Sequence, residues 1–77
     1  MNRITNMKKA IGVFRSYGIP LSGKNKSANF YKELRMDRVF VDGLIFELEL
    51  ELNKILEEEK ISRVETPSEL LHELLAA

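Results

Sequence analysis

Seventy-seven residues, twelve acidic and twelve basic, with no cysteine, describe one small domain. That composition excludes a disulfide framework and any thiolate nucleophile or metal site. No apolar run approaches the roughly 20 residues that span a bilayer, and Met1-Asn2-Arg3-Ile4-Thr5 lacks a signal peptide's apolar core, so a soluble, cytoplasmic chain is expected.

The pattern predicts helices throughout. The first helix runs from about Thr5 to Tyr17, with Thr5 or Asn6 as its cap and Met7, Ala10, Ile11 and Phe14 as its apolar stripe. Gly18 is placed to take the left-handed residue that ends it, and Pro20 follows as a stop. Residues 18–28 crowd glycine, proline, serine and asparagine into a long loop. A short helical turn over Ala28 to Leu34 would set Phe30 and Leu34 inward.

The second helix is expected over about 37–55, capped by the Asp37 side chain. Val41, Leu44, Ile45, Leu48, Leu52 and Ile55 recur at spacings of three and four and form its core stripe. Glu47 to Leu52 alternates Glu and Leu and would also suit a strand, but both are good helix formers and no partner strand exists. A short acidic helix over 57–64 turns Ile61 and Val64 inward. Thr66-Pro67-Ser68-Glu69 then announces a last helix over 67–76: a cap, a proline at the first helical position, and a glutamate three residues after the cap. Leu70, Leu71, Leu74 and Leu75 are its inner face. The fold class that follows is all-α, a small four-helix bundle in one domain with a long loop between the first two helices.

Charge is distributed unevenly. Residues 1–38 hold nine bases and two acids; residues 39–77 hold three bases and ten acids. Such asymmetry signals either partner surfaces of opposite sign or halves that face each other and neutralise, the commoner case.

The stretch 29–74 resembles an acyl carrier protein. It lies against that family's pattern without a gap through Phe30, Leu34, Asp37, Leu44, Leu48, Glu49, Glu51, Leu52, Leu56, Val64 and Thr66, and Met7 to Gly12 is similar to the family's first helix. In the family an Asp-Ser-Leu triplet opens the second helix, and its serine carries phosphopantetheine. Here the triplet reads Asp37-Arg38-Val39. A guanidinium has no hydroxyl and cannot form the phosphodiester. Ser16, Ser22, Ser27, Ser62 and Ser68 all lie away from the start of the second helix. The resemblance therefore implies the carrier bundle without the carrier's attachment point.

The family presents partners with an exposed acidic and apolar face on that helix. By position, Val39, Phe46 and Leu50 make a second apolar stripe here, with Glu49 beside it. It is either a binding surface or buried under neighbouring elements. Acids common in the family are replaced by Phe40, Gly43 and Leu50, and Arg38 reverses the sign at the helix start. Gly43 within the helix marks a close approach by a helix or partner, or drift after lost function.

No catalytic constellation or metal site is read from the sequence. His72 is the lone histidine, Glu57-Glu58-Glu59 reads as a solvated run, and Ser22-Gly23-Lys24-Asn25 is too short for a phosphate loop. The expectation is a non-enzymatic carrier-like domain that needs no cofactor and acts through protein contacts beside acyl-processing enzymes of fatty-acid or polyketide type. One alternative is a working carrier, with phosphopantetheine on another residue or with its natural serine exchanged for Arg38. Another is a basic bundle that binds nucleic acid. The Phe46 stripe also suits a homodimer.

Overall fold

The computed structural model describes residues 3–75, with only the backbone of Arg3. Four α-helices surround one core: α1 (Arg3–Ser16), α2 (Arg38–Leu52), α3 (Glu58–Arg63) and α4 (Pro67–Leu75). A 3-10 turn, Gly23–Ser27, lies between α1 and α2, and the described residues form no strand. The radius of gyration is 11.4 Å, close to the roughly 11.5 Å of a compact chain this long. No helix among the described residues is long and apolar enough to cross a membrane.

α1 buries Ala10, Val13 and Phe14, with Met7 and Ile11 partly covered. Thr5 and Asn6 do not cap it. Both lie inside the helix, and Asn6 is buried there. The end is as the sequence implies, one residue early. Gly18 takes φ +78°, its N–H donates to the Arg15 carbonyl, and the Ile19 N–H donates back to Phe14 at 2.9 Å. These two bonds with buried Ile19 and Phe14 complete a Schellman motif.

The connection to α2 is held by Asn29 and Phe30. The Asn29 side-chain oxygen accepts from the N–H groups of Tyr31 and Lys32, and Glu33 accepts from the Asn29 N–H. The Glu33 and Leu34 N–H groups return to the Asn29 carbonyl, and Arg35 closes the turn at φ +54°. Phe30 is fully buried, and its N–H donates to the Glu65 carbonyl at 2.7 Å. That bond ties the connection to the segment ahead of α4.

α2 begins at Arg38 with Asp37 in the capping position, but the Asp37 side chain makes no capping bond. Val41, Leu44, Ile45, Leu48 and Leu52 are buried as the spacing predicts. Ile55 is not: it lies beyond the helix and is 92% exposed. Asn53 adopts φ 53°, and the Lys54 N–H donates to Glu49 at 3.0 Å, so the helix closes three residues early. Asparagine tolerates the left-handed conformation well enough to end a helix without glycine.

α3 is one residue shorter at each end than expected; Val64 is buried and Ile61 half-buried beside the core. At α4 the capping box forms as written in the sequence. The Thr66 hydroxyl oxygen accepts from the Glu69 N–H, and the Glu69 carboxylate accepts from the Thr66 and Glu65 N–H groups at 3.1 and 2.9 Å. Pro67, Leu70, Leu71 and Leu74 are buried, and Leu75 packs at the core's edge. The end expected at residue 76 lies outside the described residues.

Gly43 is not required by this packing. A Cβ there would stand 3.6 Å from the Tyr17 hydroxyl, an ordinary contact, and the glycine's φ is helical. Gly43→Ala should therefore raise stability by about 0.5–1 kcal/mol. The check is a thermal melt at low protein concentration; a fall in midpoint would contradict it.

Candidate functional site

The candidate site is the outer face of α2. At about 100° per residue, Val39, Phe46 and Leu50 fall on one line, opposite the buried stripe. The exposures follow: 81% for Val39, 62% for Phe46 and 65% for Leu50. Burial under the loop or α3 is thus excluded. No other described element covers the stripe, because α1 and α4 take up the inner side of α2.

Phe46 stands between two open hollows. One runs toward α3 and is lined by Arg38, Asp42, Ile45, Glu58 and Ile61. The other runs toward the end of α2, past Leu50 and Asn53 to Ile55. Ile55, expected in the core, instead extends the outer apolar surface. On the opposite flank Phe40 is half-covered, its ring edge-to-face with Tyr17 at 5.0 Å between centroids. That contact ties the start of α2 to the end of α1.

Arg38 occupies the first position of α2. Its Nε donates to Asp42 Oδ1 at 3.1 Å, one turn on, with both side chains solvent-exposed. Such a pair contributes roughly 0.3–0.5 kcal/mol. It offsets the misfit of a cation at a helix N-terminus. Asp37 and Val39, which flank it, are exposed, so this corner of the molecule is open.

Glu49 has a structural task. Its Oε2 accepts from the Leu56 N–H at 2.7 Å, which fixes the chain as it leaves α2. Sequence reasoning placed Glu49 on the partner-binding face by position, and it does border both hollows. The bond to Leu56 was invisible in a linear pattern, because it spans seven residues across a helix end.

The serines are spread elsewhere. The Ser16 and Ser62 hydroxyls donate to the carbonyls of Gly12 and Glu59 in their own helices, and Ser68 lies in the first turn of α4. His72 is exposed beside a third hollow between α3 and α4, which the Lys60–Glu73 ion pair at 3.5 Å crosses. Among the described residues no three His, Asp or Glu side chains converge as metal ligands would.

One ion pair, Arg38–Asp42, joins the two charged halves. Two others, Lys60–Glu73 and Arg63–Glu59, lie within the acidic half. None involves Lys8, Lys9, Arg15, Lys24, Lys26, Lys32 or Arg35. No protein-family model matches the chain, and neither does any curated protein or solved structure.

Proposed function

We propose that this chain is an acyl-carrier-like four-helix domain, with a long first loop, that carries no phosphopantetheine. It acts by non-covalent protein contacts, beside acyl-processing enzymes of fatty-acid or polyketide type, and performs no chemistry itself. Val39, Phe46 and Leu50 are its contact residues. Glu49 supports their helix end and lines the edge of the surface.

The observation that carries this reading is the start of α2. The helix opens at Arg38 with Asp37 in the capping position, where the carrier pattern places the modified serine. A guanidinium paired to Asp42 stands there, and an uncovered apolar stripe follows directly. Apolar contact would then replace the charge steering that an acidic helix provides.

The test is intact mass after incubation with coenzyme A and a broad-specificity phosphopantetheinyl transferase. The unmodified chain should gain nothing, and Arg38→Ser should gain one phosphopantetheine. A gain on the chain as it stands would show an arm attached elsewhere and end the reading. No gain on either, with the variant folded by circular dichroism, would remove the carrier likeness.

A further inference from the structure

Three observations point to one occupant for the outer face of α2. The stripe Val39, Phe46, Leu50 is uncovered and lies among Asp42, Glu47, Glu49 and Glu51. α1 carries a face of the opposite sign. Ile4, Lys8, Ile11 and Arg15 lie within about 60° of one another on that helix. Ile4 is 68% exposed, Ile11 half-exposed, and the two cations are exposed. Finally, Lys8, Lys9, Arg15, Lys24, Lys26, Lys32 and Arg35 of the first half take part in none of the ion pairs named above.

We infer that a second copy of this chain covers the surface while no enzyme partner occupies it, with α1 of each copy set against α2 of the other. α1 and α2 are direct neighbours in the fold. A two-fold axis beside them would make both contacts at once and close the assembly at two. The spacings match: Ile4, Lys8, Ile11 and Arg15 step by four, three and four, as do Val39, Gly43, Phe46 and Leu50. Pairing α2 with α2 is disfavoured, since it would crowd eight carboxylates around the two stripes against few cations. The lopsided charge of the chain thus becomes complementarity between copies. The inference stands on exposure and charge and does not depend on the carrier likeness.

Static light scattering from micromolar to millimolar protein tests it. At low salt the mass should rise from 8.9 kDa toward twice that value and level off. Phe46→Ser should weaken association by roughly tenfold or more, and added salt should weaken it as well. The double variants Lys8→Glu/Arg15→Glu and Glu47→Lys/Glu51→Lys should each remain monomeric. Mixed together, they should recover both contacts, one native and one charge-swapped, and form a heterodimer. These sites are exposed, and circular dichroism is the check that each variant is folded. A mass fixed at the monomer value would overturn the inference. So would growth past the dimer, or association that ignores salt and the charge reversals. Retardation of a nucleic acid duplex by a chain that stays monomeric would assign the basic face to nucleic acid instead. None of these readouts depends on transfer of phosphopantetheine, so failure here and failure of the carrier reading are separable.

Discussion

Phe30→Ala should leave the domain with no more than about 2 kcal/mol of stability at room temperature. Its ring is fully buried, so truncation loses the transfer free energy of the ring and leaves a cavity, together about 3–5 kcal/mol. A domain of 77 residues stands near the low end of the roughly 5–15 kcal/mol available to small proteins. Urea unfolding followed by circular dichroism measures the loss. Phe46→Ala is the matched control: it removes the same ring from an exposed position and should change stability by no more than about 0.5 kcal/mol. A cost at Phe30 below about 1 kcal/mol would mean that the connection collapses onto the vacancy or that the ring is not the anchor. The effect also reaches α2, because the Met36 N–H donates to the Phe30 carbonyl one residue before Asp37. The site's position therefore depends on a phenylalanine outside every regular helix.

Much of this fold was legible because its signals are local. Thr66 to Glu69 spells its own capping box within four residues, and the resulting bonds are those expected. Gly18 declares the end of α1 by the one property glycine has there, a positive φ at no steric cost. The failures are local too, but ambiguous. Asn53 can sit within a helix or end it, and Ile55 continues the core spacing as arithmetic without being part of it. Asp37 has the right residue type at the right position, yet its carboxylate makes no cap. Which apolar stripe of α2 faces inward could be chosen from sequence; whether anything covers the second could not. That depends on how α1 and α4 approach, a property of tertiary packing. Glu33 and Glu49 each accept from a loop amide, a use that their charge alone does not announce.

Glu49→Ala separates these two uses of one residue. Removing the carboxylate strips the Leu56 N–H of its acceptor in a partly buried setting. A hydrogen bond to a charged group contributes about 1.5–3 kcal/mol, and exposure of this site puts the expected loss near the lower value. Glu49→Gln keeps an acceptor oxygen at the same reach and should retain most of the stability. If Glu49 instead served only as a charge on the contact face, both variants would be equally stable and equally impaired in association. The structure favours the first outcome, since the 2.7 Å bond bridges the end of α2 and the approach to α3. Paired urea titrations of the two variants, with light scattering on each, distinguish the cases. A stable alanine variant would leave Asn53 and the Lys54–Glu49 backbone bond as the whole closure of the helix. A destabilised alanine with an intact glutamine variant would place Glu49 beneath the contact surface, holding the helix end on which Leu50 and Phe46 are displayed.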